Sequence, residues 1–445
     1  MTRPSIRAFQ FLWRPQNIKT RSLRLNSTMT QNPRIEYNWI KGVETLEEYR
    51  PGGYHPIMIG DLLHNRYRIA DELGSGGYST VWLARDTQLN QYVALKVNVS
   101  DSQPRETRVL KGLSASISSS IHPGRSSVPI LRDEFHVEGP NGTHTCYTMT
   151  PAQSNLRQIS FSRLFPLDVA RALAYGVTQA VAYTHSQGYV HGDIHLSNVL
   201  VKLPSTFDGL SIEQLYKQYG DPETITVSRC DGEPLPTNVP TRVVVPLFLG
   251  KYAEKFVLSD AQPLLSDFGE AFSPATEIRL GQDCHTPPAF RAPEAKFEPQ
   301  VPLTYASDIW SLATAIWEII GMKAIFSTEY VPSDEIIAQH VDVLGPMPSD
   351  WWHRWEERSV FFDEHGCTTE SYKENQWPSL EESFEVCVQK WRRKVGGEVA
   401  AAEKDAFLEL MRQMLLFRPG ERPTAEEVLQ SEWMVKWAKA DYDRR

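Results

Sequence analysis

The sequence has few cysteines and none in a useful spacing. The five, at 146, 230, 284, 367 and 387, are scattered and never form a C-x-x-C pair. That excludes a disulfide framework and a cysteine zinc site, and it suits a reducing compartment. There is no unbroken apolar run of the roughly 18 residues a membrane span needs, so no membrane partner is expected. There is no internal repeat, which excludes a solenoid or propeller. Residues 1–35 contain seven Lys and Arg and not one Asp or Glu. Such a composition fits a mitochondrial transit peptide, or equally a disordered basic tail. Ile6, Phe9, Phe11, Leu12 and Trp13 can make a short amphipathic face, but Pro4 and Pro15 bracket it closely. With −9 overall and +7 in this segment, the rest of the chain carries −16. An acidic field of that size repels nucleic acid and favours basic protein partners, unless it serves solubility alone.

What is present is an ordinary globular composition, 41% hydrophobic and 23% charged over 445 residues, enough for two or three domains. The most informative stretch is His191-Gly192-Asp193-Ile194-His195-Leu196-Ser197-Asn198. It follows an apolar helical run, Asp168–Ser186, and precedes Val199-Leu200-Val201. An Asp and an Asn five residues apart on a tight loop suit phosphoryl transfer. The Asp accepts a hydroxyl proton and the Asn holds a metal ion on ATP phosphates. Alone the motif is only moderately specific.

Upstream, Ile69 and Leu73 lead into Gly74-Ser75-Gly76-Gly77-Tyr78-Ser79-Thr80-Val81. This reads as strand, glycine turn, strand, with small residues that let backbone N–H groups approach phosphates. By itself it is equally a simple hairpin. Val93-Ala94-Leu95-Lys96-Val97 puts one Lys inside an apolar run, which is costly without an anionic partner. ATP phosphates supply one, and Glu106 on the helix Arg105–Leu113 supplies another. Ser114–Ser127 reads as a loop; Val128–Leu131, Glu134–Val137 and Thr145–Met149 read as strands. Thr150-Pro151-Ala152 marks the change from β to α character, an expected hinge. Downstream, Asp267-Phe268-Gly269 offers a carboxylate for Mg²⁺. Arg291-Ala292-Pro293-Glu294 ends the segment that follows, with Glu294 an expected buried partner of Arg422. Asp308 stands at the head of an apolar helix, able to cap it and to accept bonds from the central loop. Residues 204–262 form an insertion expected on the surface, containing a helix at Ile212–Tyr219. A second insert, about 322–400, carries Trp351, Trp352 and Trp355, either core or docking surface.

Together these residues resemble the eukaryotic protein kinases. Gly52-Gly53-Tyr54-His55-Pro56-Ile57, Arg66-Tyr67 and Gly76-Gly77-Tyr78-Ser79-Thr80-Val81-Trp82-Leu83-Ala84 resemble the serine/arginine-rich protein kinases, in the shorter fungal form, and Leu344-Gly345-Pro346-Met347-Pro348 resembles an element of the CMGC group to which that family belongs. The resemblance implies an α+β, bilobal fold. It consists of a basic, disordered or targeting extension at 1–50, a small β-rich N-lobe at 51–152 and a larger helical C-lobe at 153–440 holding both inserts. It implies ATP and Mg²⁺ as cofactors. Leu73, Gly74, Ser75, Gly76, Gly77, Tyr78, Ser79 and Val81 would cover the nucleotide. Ala94 would also line the nucleotide site, Met149 would be the gatekeeper, and Thr150 to Ala152 would contact adenine. Lys96 would hold phosphates and pair with Glu106, Asp193 would be the base, and Asn198 and Asp267 would bind the metal. The expected activity is Ser/Thr phosphorylation of Arg/Ser-rich splicing factors by a monomer in cytoplasm and nucleus, without direct nucleic-acid binding.

Two residues depart from the pattern. Gly192 replaces the usual Arg, so activity without activation-segment phosphorylation is expected. His195 stands where a Lys usually steadies the γ-phosphate, and a neutral imidazole carries no fixed charge. His195 therefore favours an alternative, a pseudokinase scaffold; the intact set of Lys96, Glu106, Asp193, Asn198 and Asp267 opposes it. The central loop also resembles aminoglycoside and choline kinases, a small-molecule alternative that Ala292-Pro293-Glu294 disfavours.

Overall fold

A computed structural model describes residues 35–103, 105–115, 122–329 and 331–445. The basic segment 1–34 and the middle of the Ser-rich stretch lie outside them. The chain falls into two compact units.

The first unit comprises the residues up to Ser102, Phe135–Cys146 and Thr206–Leu247. Its six-stranded sheet has the order β1-β2-β3-β4-β6-β5. The strands are β1 (Leu62–Leu63), β2 (Tyr67–Gly76), β3 (Ser79–Asp86), β4 (Gln91–Asn98), β5 (Asp133–Gly139) and β6 (Gly142–Met149). From β2 to β4, Tyr67, Ile69, Trp82, Val93, Leu95 and Val97, mostly β-branched and aromatic, bury one core with Phe135 and Cys146. Val128–Leu131, expected as a strand, is irregular. Pro129 there lacks the N–H a ladder needs.

Two expectations about domains are corrected here. Residues 35–50 are not a loose extension. Tyr37, Leu46, Tyr49 and Tyr54 are buried against Val227, Val239 and Val243 of the first insert. The insert in turn is not an appendage of the helical region. Its residues 206–247, with α4 (Ile212–Tyr219) and the hairpin β9 (Thr224–Thr226) and β10 (Arg242–Val244), belong to the first unit. Asp208 shows why: its carboxylate accepts from the Tyr92 N–H of β4 at 2.8 Å, and its carbonyl accepts from Arg85 at 3.0 Å.

The second unit comprises Gln103–Glu134, Tyr147–Ser205 and Phe248–Arg445. α1 (Arg105–Ala115) belongs to it, not to the β-rich region as expected. Val109, Leu110 and Leu113 join its core, and Tyr183 donates to the Leu113 carbonyl at 2.6 Å. Two helices organise this core, α3 (Leu167–Ser186) and α6 (Tyr305–Ile320). Both are apolar nearly all round, the pattern of a fully buried helix. Thr178 and Thr184 are accommodated by bonding back to the Ala174 and Ala180 carbonyls. A small sheet joins β7 (Ala152–Asn155), β8 (Val199–Lys202) and β11 (Pro263–Leu265). The Trp-rich second insert is core: Trp351 and Trp355 are buried with Phe297, Phe361, Phe362 and Phe417. Arg392 from the same insert is wholly buried, donating to the Ile320 and Phe165 carbonyls. No helix among the described residues is long and apolar enough to cross a membrane.

Candidate active site

In the first unit the glycine turn joins β2 to β3 in register, Gly76 opposite Ser79 and Gly74 opposite Val81. Ser75, Gly76, Gly77 and Tyr78 are exposed, and a Cβ at Gly76 or Gly77 would meet nothing within 4 Å. Val81 pairs with Lys96 and Leu83 with Ala94 across β3 and β4. Lys96 and Ala94 are buried and Leu73 is half-buried.

In the second unit the sheet of β8 and β11 sets the catalytic loop. Val190 and Phe272 exchange both backbone hydrogen bonds, at 2.8 and 3.1 Å, an isolated bridge that ties the entry to the loop to the segment after Asp267. The Ser266 N–H and hydroxyl both donate to the Asn198 carbonyl, at 2.8 and 2.9 Å. Asp267 therefore follows directly on a residue clasped by Asn198. Its φ of +62° is left-handed, an uncommon setting for a residue that is not glycine.

Asn198 Nδ2 donates to the Asp193 carbonyl and to Asp193 Oδ2, both at 2.9 Å. The amide oxygen of Asn198 is thereby turned away from Asp193. Asp193 Oδ1 is buried with no hydrogen-bond partner among the described residues. An unpaired buried carboxylate oxygen is costly, and an incoming hydroxyl proton would satisfy it. His195 Nε2 lies 3.4 Å from Asp193 Oδ2 and 3.3 Å from Asn198 Nδ2. Its ring stacks on Phe290, centroids 5.3 Å apart.

Asp308 anchors the loop from α6. Its carboxylate accepts from the N–H groups of His191 (2.7 Å) and Gly192 (2.9 Å) and pairs with His185 at 2.9 Å. Burial alone would raise its pKa; the hydrogen bond and charge of His185, the charge of His191 and the Gly192 N–H hold it below the ordinary value. The cap of α6 is not Asp308, as the sequence suggested, but Thr304, whose hydroxyl accepts from Ala306. Gly192 has φ +79°, and a Cβ there would sit 2.9 Å from the Glu270 carbonyl. Glycine fits that backbone for two reasons at once. Glu106 accepts from the Phe268 N–H at 3.1 Å, linking α1 to the segment that carries Asp267.

The following segment is held by its own charges. Arg279 pairs with Glu270 at 2.7 Å, and His285 approaches the same carboxylate at 3.0 Å. Thr286 donates to the Gly192 carbonyl at 2.6 Å. Its end is fixed by Glu294 and Arg422, a buried two-pronged pair at 2.8 and 2.7 Å. The structure thus gathers Asp193, His195, Asn198 and, through Ser266, Asp267. Met149 and Ala152 are half-buried and Thr150 exposed, at the end of β6 and the start of β7. Sequence reasoning gave no role to His191, whose Nε2 meets the Ser266 carbonyl at 3.0 Å, or to Phe290. A histidine two residues before the Asp was the available signal.

A phosphotransferase loop of this design defines the class, and comparison with known proteins gives the family. Residues 67–207 and 254–434 match the protein kinase domain, so the chain belongs to that family. The break between the two stretches falls in the insert that the first unit absorbs. A serine/threonine protein kinase of Aspergillus fumigatus is 27% identical over 404 residues, 88% of this chain and 90% of that protein. The human SRSF protein kinase 3 is 33% identical over 167 residues, 36% of this chain and 29% of its own length. A solved kinase-domain crystal structure matches with a TM-score of 0.57 at 17% identity, covering 86% of this chain and 98% of that one. The fold is accordingly the bilobal protein kinase fold, and the chain is a serine/threonine protein kinase. The small-molecule phosphotransferase alternative is set aside by this family match.

Proposed function

We propose that this protein transfers the γ-phosphoryl group of Mg-ATP to serine or threonine hydroxyls of basic, Arg/Ser-rich proteins, acting as a monomer. The observation that carries the reaction is the Asp193–Asn198 arrangement: a carboxylate with one oxygen fixed by Asn198 and the other buried and unpaired. Asp193 receives the acceptor hydroxyl proton at that oxygen. Little covalent work falls to the chain; positioning and charge stabilisation carry the rate.

Lys96, buried in β4, is assigned to the phosphates. The donors offered to a metal are the Asp267 carboxylate and the Asn198 amide oxygen. Both are hard oxygen ligands, which fit Mg²⁺, and two protein ligands suit an ion that keeps water and phosphate in its shell. When bound, the ion would neutralise phosphate charge. His195 is assigned to steady the γ-phosphate. The Arg279–Glu270 pair and the Thr286–Gly192 bond support activity without phosphorylation of the segment. The basic substrate class rests on the similarity to an SRSF protein kinase and on the −16 charge outside the first 35 residues.

The deciding experiment is radiolabelled transfer from Mg-ATP to an Arg/Ser-repeat peptide, with Asp193→Ala as control. Transfer lost in the control is expected. Nucleotide binding without transfer to this or any basic Ser/Thr peptide would overturn the reading in favour of the pseudokinase scaffold. Placement in cytoplasm and nucleus is proposed from the same similarity. A fluorescent fusion with its native N-terminus found in mitochondria would assign the basic segment to import instead.

A further inference from the structure

We infer that Tyr54, outside the kinase-family match, is a positioning residue for the nucleotide: it tethers the glycine turn, and the 206–247 insert holds it in place. This rests on the ATP reading above and adds a residue to it.

The glycine turn is fastened within the hairpin by the Gly76–Ser79 pairing of β2 with β3 and, at Tyr78, by the Val99 N–H, which donates to the Tyr78 carbonyl at 2.9 Å. Its tip is exposed and built from residues with wide backbone freedom, so ordering it around phosphates costs entropy. A further bond to its backbone comes from a side chain outside the hairpin. The Tyr54 hydroxyl donates to the Gly76 carbonyl at 2.7 Å. Tyr54 is only 3% exposed, and its ring meets that of Tyr49 edge-on at 5.5 Å. Burial, then the nearby Glu44, Glu48 and Glu72, push its pKa up to about 12. The phenol therefore stays protonated and remains a donor.

Tyr54 is itself held on both sides. Its N–H donates to the Glu48 carbonyl at 3.0 Å. At Gly53 a Cβ would come within 1.9 Å of that same oxygen, so only glycine permits the approach. Its carbonyl accepts from Asn141 Nδ2 at 2.7 Å. Asn141 is buried and bonded to Asn238 of the insert, Nδ2 to the Asn238 carbonyl at 3.0 Å and Oδ1 from Asn238 Nδ2 at 3.0 Å. Asn238 Nδ2 also reaches the Tyr49 carbonyl at 2.9 Å.

The insert grips β2 further back as well. β1 pairs with Tyr67 and Arg68, and Gly60 and Asp61 bond the Ile69 backbone at 2.9 and 2.8 Å, so the outer edge of β2 beyond Ile69 needs other partners. The Tyr216 hydroxyl donates to the Ala70 carbonyl at 2.7 Å, and the Leu247 N–H to the Glu72 carbonyl at 2.7 Å. The strand is thus fastened at Ala70, Glu72 and Gly76 by residues that the kinase-family match does not cover.

The test measures Mg-ATP affinity by titration, the KM values for ATP and for peptide, and the melting temperature, on the full chain. Tyr54→Phe removes the one hydroxyl and keeps the ring. The expected result is a rise of about 3- to 10-fold in Kd and KM for ATP, with peptide KM and melting temperature unchanged. Asn238→Ala, which loosens Tyr54 without touching it, is expected to move the same two constants less. A Tyr54→Phe protein that binds Mg-ATP like wild type overturns the inference, as does a loss that only follows a fall in melting temperature. If Tyr54→Phe does not fold, an Asn238→Ala variant with wild-type ATP constants overturns it equally. Wild type that binds no nucleotide would instead overturn the ATP reading, and this inference with it.

Discussion

At the scale of the residue, one position decides how this loop can work. His195 replaces a fixed cation by an imidazole. Its Nε2 already lies between Asp193 Oδ2 and Asn198 Nδ2, and its ring is stacked on Phe290. That placement keeps a donor beside the base without the flexible stem of a lysine. His195→Ala is expected to lower kcat about tenfold or more, as loss of one oriented donor does. His195→Lys is expected to equal or exceed wild type. Steady-state phosphorylation of a basic peptide by the two variants checks this, and an alanine variant with undiminished kcat removes His195 from the mechanism. In the sequence Gly192 is an absence, the loss of an arginine. The structure adds a positive reason, since its φ of +79° and the nearby Glu270 carbonyl leave room for no side chain. That reason involves residues 78 positions apart and was not visible in the loop motif.

At the scale of the element, two buried carboxylates behave in opposite ways. Glu294 is compensated: Arg422 meets it with two bonds and spends its others on the Leu416, Phe417 and Ala306 carbonyls. Glu294→Ala would strand a buried guanidinium, so a loss of about 3–5 kcal/mol in denaturant unfolding is expected. Glu72 on β2 is uncompensated. Both its oxygens are buried without a hydrogen-bond partner among the described residues. Burial, then Glu44 and Asp71, raise its pKa from 4.5 to about 9. The folded chain keeps a proton there that the unfolded chain loses, so this contribution is full below pH 4.5 and is lost as pH rises towards about 9. Glu72→Gln, neutral at every pH, is expected to flatten the fall in melting temperature between pH 5 and 9. Parallel curves for the two proteins would show that Glu72 is ionised in the folded state. These elements also mark how far the sequence could be read. The Glu294–Arg422 pair and the loop around Asp193 were legible because fixed motifs announce them. The helix at Ile212–Tyr219 was legible from local pattern, with Ser211 and Gln214 forming its capping box. Which unit that helix joins was not, because Asp208, Tyr216 and Leu247 meet their partners only through tertiary contacts more than 100 residues away in sequence.

At the scale of the whole molecule, charge is the property that local motifs do not carry. Outside the first 35 residues the chain bears −16, and this acidity is not confined to the catalytic loop. A field of that size acts on a basic substrate before any contact forms, and it is screened over about 8 Å at physiological ionic strength. Its effect should therefore appear in capture of the substrate, not in the chemical step. KM for an Arg/Ser-repeat peptide is expected to rise severalfold between 50 and 300 mM salt, the experiment's chosen range, while kcat stays level. A Ser peptide of the same length with neutral residues in place of Arg should bind weakly at both ends of that range and show little salt dependence. Steady-state kinetics on the two peptides, with Mg-ATP saturating throughout, separate the contributions. A KM for the Arg/Ser peptide that ignores salt would mean that the acidity serves solubility and that substrate choice lies in close contacts alone.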